Sequence, residues 1–172
     1  MIRTIDFQRD LLPHSDRLFR LALRITLDRA EAEDIAEETL LRVWQKQEIQ
    51  PEEIKNLEVY LLTICRRLAL DRAARKEAQD LSLDTQNDDA TDTAASPHET
   101  LAARDRLEWA QRIFDTLPEK QRTVIQLRDI EERSVSETAE ILGITPEDVK
   151  TTHHRARRAI KAKLEQIENY GL

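Results

Sequence analysis

The chain has 172 residues and a formal charge of −7; 40% of its residues are hydrophobic, 35% are charged, and it has one cysteine and two glycines. That length holds one ordinary domain or two small ones with modest cores, and the scarcity of glycine argues against a turn-rich β fold and for an all-α one. One cysteine excludes an internal disulfide and a cysteine metal cluster, and no run resembles a secretory leader or the ~20 apolar residues of a membrane span, so the expected location is cytoplasmic.

Residues 15–27 read as a helix, with Leu18, Leu21, Ala22 and Ile25 at i, i+3, i+4 and i+7 and Ser15 or Asp16 as its cap. A second helix is expected from about Arg29 to Lys46. Its apolar stripe is Ala32, Ile35, Ala36, Thr39, Leu40, Val43 and Trp44, which makes Trp44 a core residue. Glu31, Glu33, Asp34, Glu37 and Glu38 make the rest of it acidic. Asp34 and Glu38 share a face at i, i+4, where like charges cost a few tenths of a kcal/mol, a cost a basic partner would offset. Gln47 to Asn56 is a polar break containing Pro51. A third helix is expected from about Leu57 to Ala78, with Val59, Leu62, Cys65, Leu68 and Ala69 on one face. Toward its end Arg66, Arg67, Arg72, Arg75 and Lys76 stand against a single acid, Asp71.

Residues 79–97 carry no helical stripe and no Lys or Arg, and their acids include Asp80, Asp84, Asp88, Asp89 and Asp92. Such a segment buries too little to offset its ordering entropy and reads as a disordered linker. The domain boundary is placed there. A helix follows from about His98 to Thr116, with Leu101, Leu107, Ile113 and Phe114 as core candidates. Pro118 starts the next, with Val124, Ile125 and Leu127 inside, and two more are joined at Gly143.

The last pair reads as a helix-turn-helix. Ala139 is the small residue where the helices cross, and Gly143 accepts positive φ at the turn. Ile141, Leu142, Ile144 and Val149 hold the pair together; Thr145 caps the second helix and Pro146 opens it. Val149, His153, Ala156 and Ile160 then face inward. Thr145, Glu147, Lys150, Thr151, His154, Arg155 and Arg158 are left to meet DNA. A helical hairpin with a solvated basic face is the plainer alternative. The run from Lys150 to Lys163, which holds six Lys or Arg and no acid, favours phosphate contacts. His153 and His154 are about 100° apart on a helix and poorly placed to share a metal. There is no His-Glu-x-x-His, no Glu-x-x-His and no glycine-rich phosphate loop. No catalytic residue, metal or cofactor is therefore expected.

The stretch LPEKQRTVI (117–125), followed by TAEILGI (138–144) and VKTTHHRARR (149–158), resembles region 4 of the extracytoplasmic-function sigma factors, the part that reads the −35 promoter element. AEAEDIAEETLLRVW (30–44) resembles their region 2.2, and YLLTICRRLALD (60–71) their regions 2.3 and 2.4. The resemblance implies a non-enzymatic initiation factor with a region 2 domain over 1–78, an acidic linker over 79–97 and a region 4 domain over 98–172. It implies that Asp34, Glu37 and Glu38 dock on the β′ clamp helices of core RNA polymerase, with the β flap as a second docking site. It further implies that Arg66, Arg67, Arg72, Arg75 and Lys76 serve −10 reading, beside a loop that holds a base flipped from the melted strand. An anti-sigma factor is an implied further partner, and the linker would thread the RNA exit path. The chain departs from the family's usual residues at Glu37 (Gln), Leu40 (a bulky aromatic), Tyr60 (Trp), Arg67 (the Asn of the −10 surface) and Glu132 (often Gly). The rival readings are an autonomous dimeric helix-turn-helix regulator and a carboxylate-rich metal enzyme. The first 78 residues look like neither a dimerisation nor a sensing domain, and the missing Glu-x-x-His counts against the enzyme.

Overall fold

A computed structural model of the chain describes residues 3–50, 55–80 and 101–169. Among them are seven α-helices: α1 (Ser15–Thr26), α2 (Arg29–Gln45), α3 (Leu57–Asp80), α4 (Leu101–Asp115), α5 (Glu119–Ile125), α6 (Val135–Leu142) and α7 (Pro146–Asn169). The fold is all-α as expected, apart from one two-residue antiparallel ladder that pairs Arg3 with Ile49 and Thr4 with Glu48. The expected linker lies largely outside the described residues, over 81–97; Gln79 and Asp80 belong to α3.

Local chemistry sets the helix ends. Neither Ser15 nor Asp16 caps α1. The chain enters it through a π-helical turn (Phe7–Leu11) and a 3-10 turn (Leu12–His14), so the earlier turn receives the cap, with Asp6 accepting from the Arg9 amide. α1 stops at Leu27, whose φ of 55° is left-handed and whose amide donates back to the Leu23 carbonyl. Asp28 caps α2 through the Glu31 amide at 3.1 Å. Burial and two cationic or amide donors compete at this carboxyl, and the donors, the Glu31 amide first and Lys76 next, hold it below its ordinary value. α6 begins in a reciprocal Ser134–Glu137 capping box.

α1, α2 and α3 pack on one another around Leu18, Leu21, Ile35, Val43, Leu61 and Leu62, all nearly or wholly buried. Cys65 is fully buried, its Sγ 3.3 Å from the Leu18 carbonyl oxygen, and burial pushes the thiol up to about 12. Trp44 corrects the sequence reading. It is 46% exposed and meets the ring of Phe7 edge-on at 5.8 Å. One residue beyond buried Val43 is a turn of about 100°, which carries Trp44 off the stripe.

The cores of the two halves are continuous. Val124, Leu127, Ala139, Ile141, Leu142 and Val149, from the last helices, join the same buried cluster as the α1–α3 core. Ile113 is buried and Phe114 half-buried; the side chains of Leu101 and Leu107 lie outside the described residues. Arg122, in α5, is 9% exposed and donates to the carbonyls of Leu117 (2.6 Å), Arg24 (2.7 Å) and Ile25 (3.2 Å). Two of these belong to the last turn of α1, whose carbonyls have no amide ahead of them. A cation at a helix C-terminus also meets the favourable end of its dipole.

Candidate nucleic-acid interface

The helix-turn-helix is built as its sequence asks. Gly143 stands at φ 67° with open space where a side chain would go, and the Ile144 amide donates to the Ala139 carbonyl at 3.1 Å. Thr145 Oγ1 accepts from the Asp148 amide at 3.1 Å. Val149, Thr152 and Ala156 are buried on the inner side of α7, and Ile160 and His153 are half-buried there. Periodicity then turns Glu147, Lys150, Thr151, His154, Arg155 and Arg158 outward, and every one of them is exposed, as is Thr145.

Charge pairing separates two classes of cation on and around α7. Arg157 Nη2 lies 2.7 Å and His153 Nε2 3.0 Å from the Asp129 carboxylate, and Lys120 lies 2.8 Å from Asp148. Burial would raise the Asp129 carboxyl, but Arg157 and His153 outweigh it and hold the group below its ordinary value. Lys150, Arg155, Arg158 and Lys161 have no ion-pair partner among the described residues and stand exposed. The face left unneutralised is the one a phosphate backbone would meet.

The basic end of α3 does not form one patch. Cys65, Ala69, Arg72 and Lys76 follow helical spacing down the side facing α2, so Arg72 and Lys76 are drawn there. Arg72 donates to Asp34 (2.6 Å), Glu31 (2.8 Å) and Glu38 (2.8 Å), and Lys76 to Asp28 (3.0 Å). The hydrogen bonds that it donates to Glu31, then Asp34, hold the Arg72 guanidinium above even its usual high value. Arg66 turns the other way, with 17% of its side chain exposed and Glu119 of α5 at 3.6 Å. Arg67 and Arg75 are exposed and unpaired among the described residues.

This arrangement answers the repulsion expected between Asp34 and Glu38: the basic partner that offsets it is Arg72 of the same chain. Arg42 adds a second cation at Glu38, 2.9 Å away. Glu37 is exposed and carries no ion pair among the described residues. Sequence reasoning assigned no role to Glu31 in this cluster. Its signal was the i, i+3, i+7 spacing of Glu31, Asp34 and Glu38, which puts all three on one face. No helix among the described residues is long and apolar enough to cross a membrane.

Comparison with known proteins agrees with this geometry. Residues 12–79 match the family model of sigma-70 region 2, and residues 107–160 that of sigma-70 region 4. The chain is 34% identical over 155 residues to the ECF RNA polymerase sigma factor SigL of Mycobacterium tuberculosis, covering 90% of this chain and 86% of that one. It is 30% identical over 164 residues to the ECF RNA polymerase sigma factor SigW of Bacillus subtilis, again over 90% and 86% of the two chains. In fold it is similar to the sigma factor RpoE of Bartonella quintana, solved with the anti-sigma factor NepR. The TM-score is 0.73 at 23% identity, over 93% of this chain and 97% of that one. CnrH, solved with the cytosolic domain of CnrY, gives 0.62 at 20% identity, over 93% and 88%. Two family models in the expected order, and relatives matched over most of their length, place this chain in the extracytoplasmic-function family of RNA polymerase sigma factors.

Proposed function

We propose that this sigma factor brings core RNA polymerase to a two-part promoter through three separate faces, acting in the cytoplasm and without catalysis of its own. The exposed side of α7, with Thr145, Glu147, Lys150, Thr151, His154, Arg155 and Arg158, meets the −35 element in the major groove. Asp34, Glu37 and Glu38 on α2 dock on the β′ clamp helices. The −10 strand is met at the basic end of α3, where Arg67 and Arg75 are the free cations and Arg66 becomes available when its cover by α5 is removed. Arg72 and Lys76 serve that surface indirectly, by fixing α3 against α2 and holding the docking carboxylates in place. Residues 1–78 and 98–172 act as the two binding domains, joined by the acidic segment and touching the β flap through the second. By analogy with RpoE and CnrH, an anti-sigma factor is a further partner.

The observation that carries this reading is the charge pattern of α7. His153 and Arg157 of α7 are engaged by Asp129, whereas Lys150, Arg155, Arg158 and Lys161 are left free among the described residues. Run-off transcription with purified core polymerase on a pool of genomic fragments tests it. Start sites that appear only with both proteins, preceded by shared −35 and −10 sequences, are expected. Tight sequence-specific binding to palindromic duplexes by the protein alone, with no polymerase-dependent start sites, would refute it.

A further inference from the structure

Lys150, His154, Arg157 and Lys161 fall at i, i+4, i+7 and i+11, a single stripe along the exposed side of α7. Lys150 and Lys161 carry no ion pair among the described residues, but Arg157 does. Its partner is Asp129, in the π-helical segment Gln126–Ile130 that follows α5. Both carboxylate oxygens are engaged. Oδ1 lies 2.7 Å from Arg157 Nη2 and Oδ2 lies 3.3 Å from Arg157 Nε, while His153 Nε2 is 3.1 and 3.0 Å from the same two oxygens. The two partners differ in exposure: 16% of the His153 side chain is exposed, against 63% of Arg157. His153 thus holds Asp129 from the protein side, and Arg157 caps it on the solvent side. By position Arg157 is a phosphate contact. By charge it is not one, because with Asp129 it forms a neutral pair.

In a loosely placed complex the phosphates lie beyond direct contact but within a Debye length of roughly 8–10 Å, where net charge decides the attraction. Lys150 and Lys161 act at that range, and the neutral Asp129–Arg157 pair contributes little. At direct contact the balance changes. An exposed ion pair is weak, and a phosphate offers the guanidinium the same forked hydrogen bonding as a carboxylate. A phosphate fixed at the flank of the groove can therefore take Arg157 from Asp129. The carboxylate keeps His153, whose Nε2–H can donate whether the ring is neutral or charged. We propose that Asp129 is a specificity-determining residue for −35 recognition: it masks Arg157 from arbitrary duplex and yields it to a phosphate only when the base contacts of α7 have seated the helix in the major groove. The inference rests on the promoter reading above. Phosphate contacts carry no sequence information by themselves. A masked cation makes one of them conditional on the base contacts, so its gain falls on the correct site and the ratio of specific to non-specific affinity rises.

The test uses holoenzyme assembled from the full chain and core polymerase, with two labelled duplexes: a promoter mapped as above, and the same fragment with its −35 element scrambled. Fluorescence anisotropy gives the affinity for each as salt is raised from roughly 50 to 200 mM. The chains compared are the native one, Asp129→Asn, and Asp129→Asn with Arg157→Gln, which keeps the net charge of the native pair. Native holoenzyme should prefer the intact −35 element. Asp129→Asn should raise affinity for the scrambled fragment on the order of fivefold and steepen its log–log salt slope by about one, as for one added phosphate contact. The intact fragment should gain less than about twofold and keep its slope, because Arg157 already meets a phosphate there. The double variant should bind the scrambled fragment as the native chain does. It should lose on the order of fivefold on the intact one, with a slope shallower by about one. If circular dichroism shows Asp129→Asn to be misfolded, Arg157→Gln takes its place, and its loss should be larger on the intact fragment than on the scrambled one. Equal effects on the two fragments, or no change on either, overturn the proposal and leave Asp129 as a brace for α7. A native holoenzyme that binds both fragments equally instead refutes the underlying promoter reading, and the inference falls with it.

Discussion

Replacing Arg122 by alanine should be the most damaging single truncation at the junction of the two halves. Its guanidinium serves three carbonyls at 2.6, 2.7 and 3.2 Å and is 9% exposed. Burial lowers its pKa, with Glu119 and Asp115 opposing, but an arginine stays charged in a protein. A hydrogen bond to a charged group contributes about 1.5–3 kcal/mol. The three act through one side chain and do not add fully, so the loss should be about 3–5 kcal/mol. That is a large share of the ~5–15 kcal/mol that holds an ordinary domain folded. Arg122→Lys keeps the charge but replaces a planar fork by a single ammonium, and should recover about half of the loss. Arg67→Ala, exposed and unpaired, should change stability by less than ~0.5 kcal/mol. Urea unfolding followed by far-UV circular dichroism at neutral pH compares the three. A loss below ~1 kcal/mol for Arg122→Ala would mean that water replaces the guanidinium at the end of α1, and the reasoning would fail.

Arg155→Ala should weaken promoter recognition by about 1–3 kcal/mol if the side chain meets a base edge; competition between promoter sequences separates this from a uniform loss at a phosphate. Glu37→Lys should weaken core polymerase binding on the order of tenfold, ~1.4 kcal/mol, with unfolding nearly unchanged. Asp34→Lys with Glu38→Lys should weaken it too, but at a further ~1–2 kcal/mol of stability, because Arg72 then faces two cations; pull-down affinities and urea midpoints distinguish the cases. Glu132, exposed at φ 54°, should tolerate glycine with a gain of up to about 1 kcal/mol, measured as a raised unfolding midpoint. Burial would raise the Glu131 carboxyl from its ordinary 4.5, but Arg20 outweighs burial and the folded value lies below that. The unfolded chain therefore binds more protons, so the contribution of Glu131 is complete above about pH 4.5 and is lost as pH falls through its lower folded value. Urea midpoints measured against pH should show this fall, and Glu131→Gln should flatten it.

The helices and the helix-turn-helix were legible from the sequence because they are specified locally. The stripe from Ala32 to Val43, the glycine at 143, the threonine cap and the buried positions Val149 and Ala156 depend on a 3.6-residue period and on neighbours within one turn. The left-handed residue ahead of the helix-turn-helix was signalled by a position the family often gives to glycine, and Glu132 takes that backbone conformation here. What the sequence could not give is which charges meet. Arg72 stands 38 residues from Asp34, and Arg20 stands 111 residues from Glu131. Nothing in either neighbourhood names its partner. A run of five cations on one helix therefore looked like one surface. Only the packing of α3 against α2 decided that Arg72 and Lys76 turn inward while Arg67 and Arg75 stay free. In the same way, length and composition allowed one ordinary domain or two small ones, and only tertiary packing brings the two halves together through Arg122, Glu131 and a shared apolar cluster. Local periodicity fixes where a helix runs and which side is apolar, whereas the pairing of distant charges depends on how the helices are brought together.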